Sequence, residues 1–378
     1  MEKAGILIIG GGVAGLATAW DLGRRGVRDV VLLEQEDALG AHSSGLNAAI
    51  LRTAGDDPVT TALARRGMER LCAPPEGFAA VSLVDPRGLV LVADDRTAPG
   101  LSGAVKEAAG DAEEISLERL RLLAPLFRGE GTTVFHFPRE GQLGIAALVE
   151  GFARGARHQG VDIRTGCQVE RLLSREGRVT GVRLTDGSEI QAATTVLAAG
   201  GWAARLGAGA GSGVVLRPTR RHLLVTRPDG KIDRRWPVVW SLADDFYFRP
   251  ESGGLLICAC DQVGVDPDRC TIDTDVCEVV AEKTARLIPG LAETEAAHFW
   301  CGMRTLTADG RFAIGPDPDL AGLFWVAGLG GHGMVCAFEV GRIAGALLEG
   351  TEQPEAAWDH LDPARLATGS SCRSPSTV

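Results

Sequence analysis

The sequence predicts an α/β fold, α+β overall, in which a doubly wound, mostly parallel sheet carries an inserted, mostly antiparallel β domain. Three observations lead to this prediction. An aliphatic run at residues 6–9 leads into glycines and a helical pattern. Similar runs at residues 196–199 and 324–327 also meet glycines. The segments between them alternate apolar and polar residues, which is typical of antiparallel strands.

The first element is a strand, a glycine turn and a helix. Gly10, Gly12 and Gly15 form G-x-G-x-x-G directly after the strand, and apolar residues at helical spacing predict a helix over Val13–Arg24. We expect Gly10 to make the tight turn, Gly12 to let backbone approach a pyrophosphate, and Gly15 to let helix and strand pack closely. A secretion signal is the alternative for so apolar a start, and the internal glycines argue against it.

A second predicted strand, Val30–Leu33, ends in Glu34, nineteen residues after Gly15. A βαβ unit holds the ribose of a dinucleotide at this position, with the phosphates at the helix N-terminus. The sequence therefore predicts a Rossmann-like nucleotide-binding domain. The carboxylate favours a free ribose 2′-hydroxyl, and so FAD or NAD over NADP.

The first sheet is expected to resume after an excursion. An amphipathic helix is predicted at Ile145–His158, followed by a small antiparallel meander with turns at Gly177 and at Asp186-Gly187. The last element, residues 324–348, reads as a strand, a glycine turn and a helix that begins at Gly330 or Gly331. The free N–H groups of such a helix start stabilise negative charge, which in a flavoenzyme belongs to the reduced ring.

The excursions predict a second domain for the substrate. Strands are expected in "RGLVLVADD", in "RRHLLVTRP", in "FYFRPESGGLLICA" and just before "HFWCGMRTL", and a helix in "SLERLRLLAP". The predicted boundaries are 76–139 and 214–304 for this domain, 1–75, 140–213 and 305–365 for the nucleotide-binding domain, and 366–378 for a disordered tail.

Composition and charge argue against several classes of protein. The net charge is −10, and no apolar run approaches the ~20 residues of a membrane span, so nucleic acid and an anionic membrane surface are unfavoured as main partners. Nine cysteines without a C-x-x-C pair argue against a disulfide framework or a metal site. We expect reduced thiols in the cytoplasm and a small-molecule substrate.

Several motifs together resemble the D-amino-acid oxidase superfamily of FAD enzymes. They are the opening glycines with Glu34, the strand "VLAAGGW", and the pair "WCGMRTLTADGRFAIGP" and "WVAGLGGHGM". Within the superfamily, "GAHSSGLNAAI", "WPVVWSLADDFYFRP" and "GMRTLTADG" most resemble bacterial D-arginine dehydrogenase and related D-amino-acid dehydrogenases.

The resemblance implies noncovalent FAD, because Cys301 stands one position away from the attachment site of covalent relatives. His42 and His332 are the histidines expected nearest the flavin, and both are interpreted as structural. The implied cofactor-binding residues are Gly10, Gly12, Val13, Ala14, Gly15, Glu34, Gln35, His42, Ser43, Ser44, Val169, Ala199, Gly200, Gly201, Gly302, Arg304, Gly330, Gly331, His332, Gly333 and Met334.

For the substrate, the resemblance implies three catalytic residues that anchor a carboxylate, Arg304, Arg221 and Tyr247. Leu89 stands where the D-arginine enzymes carry an acidic residue, which predicts an apolar pocket. Arg52 could pair with an anionic substituent or face water. The predicted pocket residues are Ile50, Arg52, Leu89, Val238, Trp240 and His332.

The implied reaction is oxidative deamination of an amino acid, expected to be a D-amino acid with an apolar side chain. Hydride passes from Cα to flavin N5, giving an imino acid and then a keto acid, with no obligatory general base. Alternative substrates are a secondary amine, an imino acid or a 2-hydroxy acid. A flavin-binding subunit of a larger dehydrogenase is the alternative from another class, and oxidase against dehydrogenase stays open.

Overall fold

The computed structural model describes residues 2–55, 57–107, 112–350 and 356–367. The strands, in chain order, are β1 (Glu2–Ile9), β2 (Val30–Leu33), β3 (Ile50–Leu51), β4 (Val84–Asp85), β5 (Leu89–Ala93), β6 (Glu113–Glu114), β7 (Thr133–Phe137), β8 (Gly141–Leu143), β9 (Asp162–Arg164), β10 (Val169–Arg175), β11 (Arg178–Leu184), β12 (Glu189–Leu197), β13 (Arg217–Thr226), β14 (Val238–Ser241), β15 (Phe246–Glu251), β16 (Gly254–Cys258), β17 (Val263–Gly264), β18 (Ala296–Leu306), β19 (Ala313–Pro316) and β20 (Leu323–Ala327). The helices are α1 (Val13–Arg24), α2 (Pro58–Cys72), α3 (Ala98–Glu107), α4 (Leu117–Leu123), α5 (Ile145–His158), α6 (Ala203–Ala210), α7 (Asp275–Leu287) and α8 (Ala337–Glu349).

The first sheet has a parallel centre in the order β20-β12-β1-β2-β9. β10 and β11 join the first half of β12 as an antiparallel meander, and β19 lies antiparallel to β20. β2 is buried along its whole length, which explains why it reads as a continuous aliphatic run. Ile9 pairs with both Leu33 and Leu197, so the carboxyl ends of β1, β2 and β12 meet at one edge.

Three helices pack together beside this sheet, α1 between α5 and α8. Trp20 of α1 lies edge-on to Phe152 of α5 and Phe338 of α8, with ring centroids 5.4 and 5.5 Å apart. The α1 and α8 backbones approach closely because Gly341 has no side chain, and a Cβ there would collide with the carbonyl of Ala17. This packing holds the start of α1 against the glycine turn.

The second sheet is mostly antiparallel, in the order β17-β13-β16-β15-β14-β5-β7-β6. β18 pairs with β13 along nearly its whole length, and β14 with β5 is the parallel exception. A small third sheet joins β3, β8 and β4. The predicted fold class, a parallel α/β sheet combined with an antiparallel one, is confirmed. The domain boundaries drawn above stay a prediction.

Two sequence-based expectations about local structure are wrong. The last helix begins at Ala337 and not at Gly330 or Gly331, because residues 330–336 form consecutive turns after Gly328 and Gly330, both at positive φ (70° and 52°). The strand expected before "HFWCGMRTL" is β18, which contains the motif itself.

The last described residues close against the first sheet. Leu366 is buried, and Ala367 forms an antiparallel bridge with Val214. The rest of the predicted tail, residues 368–378, lies outside the described residues. Among the helices of the described ranges, none is long and apolar enough to cross a bilayer.

Candidate active site

A cavity of about 770 Å³ extends from the glycine turn to the antiparallel sheet. One end lies at the carboxyl edge of β1 and β2, where an open α/β sheet places its ligands. The other end lies against β13, β15 and β18. Its two ends are referred to below as the nucleotide end and the substrate end.

At the nucleotide end, Gly10 has φ 110°, and a Cβ there would lie 2.5 Å from the carbonyl oxygen of Ala198. A Cβ on Gly15 would collide with the carbonyl of Gly10, so α1 packs on the turn as the sequence predicts. The backbone N–H of Val13 donates to Ser44 Oγ over 2.9 Å. These residues leave the first amides of α1 beside the cavity, where a pyrophosphate is favoured.

Glu34 is buried at the same end and is already oriented by backbone. Its Oε2 accepts from the Gly11 N–H at 2.6 Å, and its Oε1 accepts from the Glu36 N–H at 2.9 Å. His42 Nε2 lies 2.8 Å from Glu36 Oε1, and its ring is tilted by 56° against the Trp202 ring, with centroids 4.7 Å apart. His42 therefore lies at the nucleotide end, and its partner Glu36 is two residues beyond Glu34. The expected position of His42 near the flavin stays a prediction.

The turns that follow β20 line the middle of the cavity. Gly330 donates its N–H to Thr305 O and His332 to Leu329 O, each over 3.0 Å. Within the described ranges, no acceptor is paired with the amides of Gly331 and Gly333. These glycines supply N–H groups and a surface without side chains, which is what a flat ring with developing negative charge needs.

Arg304, Arg221 and Tyr247 come together at the substrate end, from β18, β13 and β15. Arg221 is 7% exposed and donates to Asp261 O at 2.9 Å and to Gln262 Oε1 at 3.2 Å, both uncharged acceptors. The Arg304 guanidinium lies against Gly331. Among the described residues, no carboxylate is within ion-pair distance of either guanidinium.

Electrostatics at this end is dominated by the arginines. Burial lowers the pKa of Arg304, and Arg221 lowers it further, but an arginine pKa starts so high that the group stays charged. Burial raises the pKa of Tyr247 well above its ordinary value, so the hydroxyl keeps its proton. Burial, Arg52 and Arg304 together lower the pKa of His332 to about 3. His332 is therefore neutral at ordinary pH.

Arg52 also lines the cavity, with its guanidinium 4.5 Å from the centre of the Trp240 ring. Its Nε donates to Ala54 O at 2.6 Å, and Thr53 beside it donates to the buried carboxylate of Glu140. The loop that carries Arg52 is thus fixed by its neighbours. A cation over an aromatic face is held in place by the ring as well.

Most of the predicted residues line this one cavity. They are Gly10, Gly12, Val13, Ala14, Glu34, Gln35, His42, Ser43, Ser44, Ile50, Arg52, Val169, Ala199, Gly200, Arg221, Trp240, Tyr247, Gly302, Arg304, Gly330, Gly331, His332, Gly333 and Met334. Gly15 and Gly201 lie behind the lining, where Gly201 packs against Met303.

Leu89 and Val238 do not line the cavity. They pair with each other in the parallel β5–β14 pair and are fully buried in a small core. They share this core with Ala54 and Leu101, and the cluster meets the cavity through Ile50, Trp240 and Leu242, which pack against it.

Several lining residues were missed from sequence, among them Trp202, Leu223, Cys260, Gln262 and Met303. The spacing of Cys258 and Cys260 matches no metal motif, and the described residues contain no cluster of three metal-ligating side chains. Burial alone raises the pKa of Cys258, but hydrogen bonding from Cys260 and the charge of Arg221 lower it to about 6. Only the strand register brings these thiols to the arginines.

The cavity fits an adenine dinucleotide with a flavin. The α1 amides and Glu34 offer the pyrophosphate and ribose contacts, and the bare glycine backbone at residues 330–333 would admit the ring where side chains would collide. These features define a Rossmann-like FAD site with a charged pocket beyond it. The family model "DAO: FAD dependent oxidoreductase" matches residues 5–347. The chain belongs to this family and is an FAD-dependent oxidoreductase.

Individual relatives agree with this assignment. The chain is 28% identical to glycine oxidase of Pseudomonas putida over 92% of this chain and 95% of the relative. It is 27% identical to the 4-methylaminobutanoate oxidase (formaldehyde-forming) of Paenarthrobacter nicotinovorans, over 91% of this chain but only 44% of that relative's length. Among solved structures, L-proline dehydrogenase from P. horikoshii superposes with a TM-score of 0.85 at 23% identity, covering 96% of this chain and 98% of that one.

Proposed function

We propose that this enzyme oxidises an amine that carries a carboxylate, removing hydride from the carbon next to nitrogen. The observation that supports this most is Arg304, a half-buried and charged guanidinium that faces the cavity. Among the described residues, no carboxylate neutralises it. A partly desolvated charge without a partner is costly, so the site favours an anionic ligand.

The three residues at the substrate end contribute differently to binding of the substrate carboxylate. Arg304 offers two parallel N–H groups to the two carboxylate oxygens. Tyr247, which keeps its proton, donates one hydrogen bond. Arg221 is held by Asp261 and Gln262 and adds positive charge close by. Together they fix the substrate's α-carbon relative to the glycine turns at residues 330–333.

The same charges act on the substrate's nitrogen. FAD, when bound, accepts the hydride at N5. The donor has to be the neutral amine, and positive neighbours lower the pKa of an amine. Arg52, Arg221 and Arg304 therefore favour loss of the ammonium proton on binding. His332 is neutral and can share a hydrogen bond without adding to the positive charge.

As the particular substrate we propose a D-amino acid with a short apolar side chain. Ile50, Leu223 and Trp240 are among the apolar residues of the lining, whereas Leu89 and Val238 lie outside it. The second candidate is a secondary amine or imino acid. Similarity to the 4-methylaminobutanoate oxidase supports that candidate.

We further propose that the FAD is noncovalent and that the chain works as a catalyst on its own. Gly302 faces the cavity, whereas Cys301 on the opposite face of β18 lines a second cavity. Acid precipitation should leave the yellow colour in the supernatant. Colour that stays in the pellet would contradict this part of the proposal.

Anaerobic bleaching of the flavin absorbance tests the function. The panel pairs D- with L-alanine, sarcosine with its amide, and D- with L-proline. We expect bleaching by carboxylate amines, fastest with D-alanine, and none with the amide. Bleaching by the amide as readily as by sarcosine would refute the role of Arg304. Faster bleaching by sarcosine or proline would select the second candidate.

A further inference from the structure

A pair of thiols lies outside the substrate end. Cys270 Sγ is 3.9 Å from Cys301 Sγ, and the Cys301 thiol also points at Cys270 O, 3.6 Å away. Cys301 is buried in β18, and Cys270 is half-buried in the connection between β16 and α7. Residues 260–273 of that connection are called the strap below.

The strap is fastened at both of its ends to one buried side chain. His222 Nδ1 lies 2.7 Å from Asp261 Oδ2, and His222 Nε2 accepts from the Asp273 N–H at 2.9 Å. Because Nε2 is an acceptor, the ring proton is on Nδ1. Between these two ties the strap runs past β18, and Cys270 is the point at which it touches Cys301.

The part of the strap around Cys270 lies on the face of the β13–β18 pair that turns away from the main cavity, whereas Cys260 and Gln262 of the strap line that cavity. Residues directly opposite one another in an antiparallel pair share a face. Arg221 lies opposite Gly302 on the cavity face, and His222 lies opposite Cys301 on the strap face. Cys301 is therefore next in sequence to the cavity-facing Gly302, and its side chain lies on the opposite face of the strand that carries Arg304.

The same thiols help to line a second cavity, of about 450 Å³. Its other walls include Gln35 and His42, which also line the nucleotide end of the main cavity. Asp268 of the strap accepts from Trp202 Nε1 at 2.7 Å, so the strap is joined to the first sheet's loops at this place. The strap is thus one wall beside the adenosine position.

We propose that Cys270 and Cys301 are a redox-active thiol pair, oxidised by a peroxide to a disulfide that locks the strap onto β18 and slows the release of FAD. The step is balanced: two S–H bonds and one O–O bond break, one S–S bond forms, and hydrogen peroxide leaves as two molecules of water. Burial and Cys301 raise the pKa of Cys270 to about 11, so its thiol is protonated at neutral pH.

The two cysteines are 31 positions apart in the sequence, and a disulfide here would close a loop of that length. Loops of this length restrict the unfolded chain strongly, so the oxidised enzyme should also melt at a higher temperature. Neither effect requires that the proposed substrate be correct, since FAD release and melting are measured without turnover.

The test uses the holoenzyme, purified with dithiothreitol, desalted and treated with hydrogen peroxide. Differential alkylation and peptide mapping should find Cys270 joined to Cys301. FAD release on dilution, followed by its fluorescence, should become at least threefold slower, and dithiothreitol should restore the original rate. Cys270→Ser should show neither the joined peptide nor the slower release, while its activity before oxidation matches wild type.

Cys277→Ser is the matched control, because Cys277 lies on α7 just past the strap, and it should respond to peroxide as wild type does. Peroxide treatment that oxidises other cysteines without joining Cys270 to Cys301 would overturn the proposal that these two thiols form a disulfide. A joined peptide with unchanged FAD release would overturn its effect on the cofactor.

Discussion

The nucleotide end of the cavity is built from residues 10–44, whereas the substrate end joins β13, β15 and β18 with the turns after β20. At the first end a strand, a turn and a helix are neighbours in the chain, and Gly15 packs against the carbonyl of Gly10, five residues before it. At the second end, Arg221, Tyr247 and Arg304 meet only because strand pairing aligns them.

The two ends also differ in charge. Each carboxylate oxygen of Glu34 already accepts a hydrogen bond from a backbone N–H group. Arg304 is a cation without a carboxylate partner among the described residues. The nucleotide end is therefore complete as folded, and the substrate end is complete only with an anion. Variants at the two ends should separate FAD binding from substrate binding.

The largest effect is expected from Gly15→Val. The new side chain would collide with the Gly10 carbonyl and push α1 away from the turn, so affinity for FAD should fall at least a hundredfold. FAD titration by fluorescence quenching measures this, with circular dichroism to check folding. Gly103→Val is the control, since a Cβ there meets nothing within 4 Å. Equal FAD affinity in both variants would break the assignment of the nucleotide end.

Arg304→Met should raise the apparent KM for the substrate ten- to a hundredfold and leave FAD affinity unchanged. The variant loses a charge-assisted contact worth roughly 1.5 to 3 kcal/mol, and the proposed phosphate position is at the other end of the cavity. Steady-state kinetics alongside FAD titration gives both numbers. Arg175→Met, at a largely exposed arginine of β10, should change neither. A higher dissociation constant for FAD without a higher KM for the substrate would contradict the roles proposed for the two ends of the cavity.

Glu34→Ala should lower the affinity for FAD about tenfold and leave the substrate KM within a factor of two. This is the opposite of the pattern expected for Arg304→Met. The carboxylate is the proposed ribose contact, and its loss also leaves the Gly11 N–H without its acceptor. The exposed Glu176→Ala is the control. Unchanged FAD affinity in Glu34→Ala would show that the ribose is held elsewhere.

The smallest effect concerns His332 and pH. Its pKa is lowered to about 3 by burial, Arg52 and Arg304, against about 6.5 for an ordinary histidine. Below pH 6.5 the unfolded chain takes up a proton that the folded chain refuses until about pH 3, so this group removes stability as pH falls through that window. The melting temperature of His332→Asn should therefore fall less than that of wild type when the pH is lowered from 7 to 5. His158→Asn, at an exposed histidine of α5, should follow wild type.

Prediction from sequence succeeded where neighbours in the chain decide the structure. α1, β2 and α5 have the predicted bounds, because caps, glycines and periodicity are local signals. It failed for the start of α8, where positive-φ glycines replace the first helical turns. It also failed for Leu89 and Val238, which are buried in a core that includes Ala54 and Leu101, residues distant in sequence.

The Arg52 loop shows the same limit. The sequence leaves Arg52 either in the pocket or in water, and the fold places it in the cavity lining above Trp240. The neighbouring Thr53 donates its backbone N–H to Glu140, which is 87 residues away in the sequence. The position of Arg52 depends on this contact. No local pattern could have shown this contact.

The most direct test of the central claim is ligand binding at the arginine end without turnover. Propionate and propionamide have almost the same shape and differ in charge, and binding of either beside the flavin perturbs its visible spectrum. We predict a spectral titration with propionate that saturates in wild type, is lost in Arg304→Met, and is not produced by propionamide. Equal binding of the amide, or propionate binding that survives Arg304→Met, would contradict the claim.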